Sequence, residues 1–139
     1  MREILFRGKG THSGEWVEGN LFIPDREDTP TEICIGTNIV RITYDVVPET
    51  VGQYTGFTDK NGKKIFEGDI VSITALGNDH RQKGARTIAF IEYYKGDAGL
   101  CVYGGSLGVT LSSILNDHIV EVIGNIFDNL ELLKGGVDK

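Results

Sequence analysis

The sequence predicts an all-β protein, mainly antiparallel and with little helix. Three observations carry this. Apolar and polar residues alternate over short runs, most cleanly at 40–46, where Val40, Ile42, Tyr44 and Val46 share one face and Arg41, Thr43 and Asp45 the other. Glycine fills 19 of 139 positions, about twice its usual share, and it stands beside Asn, Asp and Lys as turn glycines do. Asn61-Gly62 lies between the apolar pieces 54–57 and 65–66. That pair is the strongest short-range signal for a two-residue hairpin turn, because both residues accept positive φ.

Taken in order, residues 3–7 and 15–23 read as a first strand pair around the Gly-rich loop 8–14. Gly8-Lys9-Gly10-Thr11 lacks the spacing of a phosphate-cradling loop: a glycine separates Lys from the hydroxyl residue, and a strand follows where a helix is needed. The polar, acidic stretch 24–31, bracketed by Pro24 and Pro30, reads as a surface loop. Residues 32–35 and 39–46 form a second pair, and Pro48 makes 47–50 an extended connector. Glu67-Gly68-Asp69 redirects the chain into a strand over 70–76, with Val71, Ile73 and Ala75 inward and Ser72 and Thr74 outward.

An exposed loop spans 77–84, a strand 86–94, a turn 95–97 and a short strand 99–103. Residues 104–108 read as another loop. The last strand is 119–127, with Val120, Val122, Gly124 and Ile126 inward. Asp128-Asn129 caps a short helix over 130–133, which Gly135-Gly136 ends. The expected organisation is an N-terminal antiparallel β region, 1–50, and a C-terminal SH3-like small barrel, 51–139.

No apolar run approaches the ~18 residues of a membrane span, and residues 1–7 lack the apolar segment of a signal peptide. A cytoplasmic protein is expected. Cys34 and Cys101, each inside an apolar run, read as reduced buried thiols. Net charge is −6 with a pI near 5.0, and residues 1–50, 51–100 and 101–139 carry −4, +1 and −3. This balance disfavours sequence-independent binding to phosphate backbones, which needs clustered positive charge.

Candidate chemistry is sparse. Asn78-Asp79-His80 and Asn116-Asp117-His118 could orient an imidazole, but His12, His80 and His118 offer no close ligand pair for zinc. No metal or other cofactor is expected. Glu67 and Asp69 flank a glycine as an acid–base pair would, but without a third partner; a side chain after such a turn more often caps the backbone where two strands diverge. Neither cysteine has a neighbouring histidine, and no nucleophile motif occurs. No catalytic residue is assigned. Lys60, Lys63 and Lys64 around the hairpin turn, with Arg81, Lys83 and Arg86 further on, are the candidate contacts to single-stranded nucleic acid. Lysines that merely solvate a hairpin tip are the plainer reading.

The stretches 51–56, 59–63 and 65–71 together resemble the signature of the YopX family of phage and prophage proteins. Phe6-Arg7-Gly8-Lys9 with residues 14–19 is similar to that family's opening, and 121–129 to its close. Leu130 stands where the family often has Pro, and Gly10 where it often has a second basic residue. The resemblance implies a small, mostly β protein that assembles into oligomers in a bacterial host cell. It implies no activity and carries over no catalytic residues. The expected function is a non-enzymatic binding or assembly module, with Trp16, Phe22 and Tyr44 as the candidate self-association surface, since exposed strand edges invite pairing. A nucleic-acid-binding module is the alternative.

Overall fold

The computed structural model of the chain describes residues 4–25, 28–36, 41–75, 86–94, 97–102 and 105–134. Its strands form two antiparallel sheets, accompanied among the described residues by two four-residue α-helices and a 3-10 turn at Pro48–Thr50. This is the all-β class that alternation and turn chemistry predict. The chain divides into two compact units, Met1–Gly56 and Phe57–Lys139.

The first unit is built from β1 (Phe6–Lys9), β2 (Trp16–Phe22), β3 (Glu32–Gly36), β4 (Arg41–Asp45) and β5 (Gly52–Thr58), in the order β4-β3-β2-β1-β5. β5 runs through the division at Gly56, and β6 (Lys64–Phe66) follows it in the hydrogen-bonded order. Register sets the faces: Ile33 lies opposite both Leu21 and Tyr44, and Ile35 opposite Ile42. Val17, Ile33 and Val46 form a small core on that side with Phe6, Leu21 and Val51. Gly19 is required here, because a Cβ would stand 2.4 Å from the carbonyl oxygen of Cys34.

Ile42, Tyr44 and Val46 share a face as predicted, but only Val46 is buried; Ile42 is 51% and Tyr44 39% exposed. Val40 lies outside the described residues. The sheet also folds back on its own end. Gly10 bridges Val46, the Val47 N–H donates to Lys9 O at 2.9 Å, and the Thr11 N–H donates to Asp45 O at 2.9 Å. The C-terminal end of β4 is therefore covered along its outer edge.

The second unit continues with β7 (Asp69–Ala75), β8 (Arg86–Tyr94), β9 (Asp97–Val102), β10 (Gly105–Thr110), α1 (Leu111–Ile114), β11 (His118–Asn125) and α2 (Glu131–Lys134). Its sheet runs β10-β9-β8-β7-β11, a four-strand meander with the last strand returning beside the first. Val71, Ile73, Ala89, Ile91, Ala98, Leu100 and Val120 bury one face, closed by Ile65 from β6 and Leu111 from α1. The Ser113 N–H donates to Thr110 Oγ1, which caps α1. α2 lies against β8 and buries Leu133, one residue along from the predicted helix.

Four details here depart from the sequence reading. Residues 48–50, read as part of an extended connector, form a 3-10 turn, because the fixed φ of Pro48 also suits a first helical position. Residues 105–108, read as loop, belong to strand β10; pairing with β9 overrides their turn-like composition. Ser72, expected outward, is 5% exposed, because β7 is flanked by β8 and β11 and buried on both faces at this point. In β11 a register shift between Val122 and Gly124 breaks the alternation, so Val120 is fully buried while Val122, Gly124 and Ile126 are half-buried. The expected loop at 77–84 lies outside the described residues.

Candidate functional site

The hairpin between β5 and β6 carries the lysines that sequence reading singled out. It is a three-residue loop rather than the two-residue turn expected from Asn61-Gly62. The Asp59 N–H donates to Lys63 O at 2.8 Å, the Gly62 N–H to Asp59 O at 2.9 Å, and Gly62 has φ +82°. This is a turn followed by a left-handed glycine, the next commonest hairpin solution. The residue that selects it is Asp59. Its Oδ1 accepts from the N–H groups of Asn61 (2.8 Å) and Lys63 (2.9 Å), and its Oδ2 accepts from Val122 N–H (2.9 Å). The Lys60 N–H donates to Val120 O at 2.9 Å, so the hairpin base lies along the outer edge of β11.

Burial pushes the Asp59 carboxyl up, but the backbone donors of Val122, Lys63 and Asn61, helped by the Lys63 charge, outweigh it. Its pKa falls below the ordinary 3.8. Sequence reading missed Asp59. The available signal was an Asp opening a short Asn-Gly loop, where its side chain can fold back on the backbone.

The basic residues gather only in part. Lys60, Lys63 and Lys64 belong to this hairpin, and Lys60 Nζ lies 3.5 Å from Glu121 Oε1 in an exposed pair. Arg86 opens β8 opposite Thr74, with Nη1 3.5 Å from Ser72 Oγ. Arg81 and Lys83 lie outside the described residues. Lys60 and Lys63 thus stand beside the carboxylates of Glu121 and Asp59, which reduces the positive field of the tip.

The aromatic trio does not form one patch. Trp16 and Phe22 lie on the same face of β2 but six residues apart, roughly 20 Å at strand rise. Tyr44 is on the opposite face, opposite Ile33. Trp16 is covered by Arg7, whose guanidinium carbon sits 4.7 Å from the ring centroid while Arg7 itself is only 8% exposed. Phe22 is 55% exposed. Tyr44 adjoins Ile42 and Ile35, which are also exposed, and these two pair directly across β3 and β4.

The titratable candidates have structural partners. Asp69 is buried, and its Oδ2 accepts from Phe66 N–H at 2.8 Å; it caps the backbone where β6 and β7 diverge. His118 Nδ1 lies 2.6 Å from Asp117 Oδ1, and His12 Nε2 lies 3.8 Å from Asp45 Oδ2 in the first unit. His80 lies outside the described residues. Among the described residues no group of three or more His, Cys, Asp or Glu is placed to hold a metal ion. None of the described helices is long and apolar enough to cross a membrane. Cys34 and Cys101 are both free and half-buried.

With this geometry in view, the family profile of the YopX protein matches residues 5–134. The chain belongs to the YopX family. Among solved structures, it is similar to protein EF1440 from Enterococcus faecalis, at 26% identity and a TM-score of 0.56, over 96% of this chain and 99% of that one. No curated protein matches it.

The stretches that resemble the YopX signature make contacts inside each unit. In the opening motif, Arg7 stacks on Trp16 and Gly19 admits β3. In the central motif, Asp59 and Asp69 bond backbone, while the Gly68 N–H donates to Ile91 O (2.8 Å) at φ +94°. The closing motif returns to the same point: the Ile126 N–H donates to Gly68 O (2.9 Å), and Asn129 Oδ1 accepts from Asn125 N–H (3.2 Å). Gly124 makes room for that amide, since a Cβ there would stand 2.7 Å from Asn129 Oδ1.

Proposed function

We propose that this YopX-family chain is a non-enzymatic module that assembles with copies of itself, acting in the cytoplasm of a bacterial host cell that carries phage or prophage genes. The observation that carries the reading is the exposed apolar surface of the first unit, where Ile35, Ile42 and Tyr44 lie uncovered on one sheet face and Phe22 on the other. Contiguous apolar surface of this kind marks interaction sites. Association through faces suits this chain better than edge pairing, because Thr11 covers the end of β4. The strand order of the second unit supports reading it as an SH3-like barrel.

Light scattering on a size-exclusion column, in low and high salt, tests this. A defined oligomer that Ile42→Lys converts to monomer, with its circular dichroism intact, supports the reading. A monomer at high concentration in both salts refutes it.

The second reading is binding of single-stranded nucleic acid by Lys60, Lys63, Lys64 and Arg86, favoured by three lysines meeting at one hairpin. A salt-sensitive peak with a raised ratio of absorbance at 260 to 280 nm would put it first.

A further inference from the structure

The face of the second sheet opposite its core carries a groove of about 640 Å³ over β8, β9 and β10, within the size range of small-ligand sites, ~300–1,000 Å³. Its origin is a bulge. Ser106 pairs with Cys101 and Thr110 with Gly99, so β10 places three residues, 107–109, where β9 has only Leu100. The two extra residues make a bulged arc in β10, and Gly99 and Cys101 line the groove beside it. The arc is held locally, since the Gly108 N–H donates to Ser106 Oγ at 3.0 Å with Gly108 at φ +74°.

Gly99 is the telling residue. Its φ is not in the left-handed region, and a Cβ there would meet only ordinary contacts, 3.6 Å from Glu92 O and 3.9 Å from Val109 O. A strand-interior glycine sacrifices about 0.5–1 kcal/mol relative to alanine. Neither backbone geometry nor packing accounts for it; what it keeps open is the groove floor.

The charged groups among the described lining residues are both carboxylates, Glu92 and Asp97. The Cys101 thiol donates to Glu92 Oε1 at 3.5 Å and steadies that carboxylate beside the floor. Burial, then the hydrogen bond and charge of Glu92, push the thiol pKa up, so it stays protonated. Val109 supplies an apolar wall. We infer that this groove binds a small organic cation, an amine or guanidinium on a short apolar stem, with the charge at Glu92 and the stem over Gly99.

The test is a titration of the full-length, isotope-labelled chain with butylguanidinium chloride, followed by amide chemical shifts, with sodium butyrate as the control. Saturable shifts at Gly99, Cys101, Ser106 and Gly108, absent with butyrate, are expected. Glu92→Gln should weaken binding by about tenfold or more, as loss of a charge-assisted bond does. Gly99→Val should abolish it without lowering the melting temperature, which separates groove filling from unfolding. No saturable shift up to about 20 mM, where a millimolar site would be filled, overturns the inference. So do shifts unchanged by Glu92→Gln, or shifts spread over acidic residues elsewhere. The groove lies in the second unit and the proposed association surface in the first, so each reading fails or stands without the other.

Discussion

Replacing Asp59 with alanine should loosen the second unit by about 2–4 kcal/mol. Three backbone N–H groups lose their acceptor. Those of Asn61 and Lys63 sit at an exposed hairpin tip where water can replace the carboxylate. The N–H of Val122 belongs to a half-buried strand, so leaving it unsatisfied costs about 1–3 kcal/mol, and losing a hydrogen bond to a charged acceptor about 1.5–3 kcal/mol, with overlap between the two. Urea unfolding followed by far-ultraviolet circular dichroism measures the loss. Trp16 fluorescence, which reports the first unit, should change less. The pH dependence is a second check. Because the folded pKa lies below 3.8, the ionised carboxylate contributes stability above about pH 4, and this contribution fades as pH falls through the folded value. Wild type and Asp59→Asn should therefore differ most near neutrality and converge in strong acid. A loss under about 0.5 kcal/mol for the alanine variant, the range of ordinary surface changes, or a wild type–Asn difference independent of pH, would refute the argument that Asp59 joins the hairpin to β11.

Gly19→Ala should destabilise the first unit by about 1–3 kcal/mol through overpacking against Cys34 O, read by Trp16 fluorescence in a urea titration. Phe66→Ala, at a side chain 1% exposed, should lose about 3–5 kcal/mol, whereas Ile42→Ala at a half-exposed position should stay within about 0.5 kcal/mol in a monomer. Gly62→Ala should lose about 1–2 kcal/mol from left-handed strain alone, since no atom lies within 4 Å of the added Cβ. Gly99→Ala should be neutral or stabilising in the same thermal melt.

The two departures at hairpins are instructive. Asn61-Gly62 was legible as a turn, yet its length was decided by Asp59, whose carboxylate reaches Val122, 63 residues away. β10 was illegible because Gly105, Ser106 and Gly108 have turn composition, and only pairing with β9 makes them strand. The candidate surfaces were read less well. Trp16, Phe22 and Tyr44 look equivalent in the sequence, but one is covered by Arg7 and the other two lie on opposite faces. The groove gave no motif at all, since a bulge and a missing side chain leave no pattern in the sequence.

What the sequence determined by itself is local: the all-β class, most strand positions, the YopX signature, and the backbone-capping role of Asp69. These follow from alternation, turn chemistry and short-range hydrogen bonds, which act within a few residues. What tertiary structure alone decided is which faces are covered, how each sheet end is closed, and where a groove opens. Those depend on register and burial between segments far apart in the chain, and a one-residue change of register exchanges a strand's faces without altering its composition.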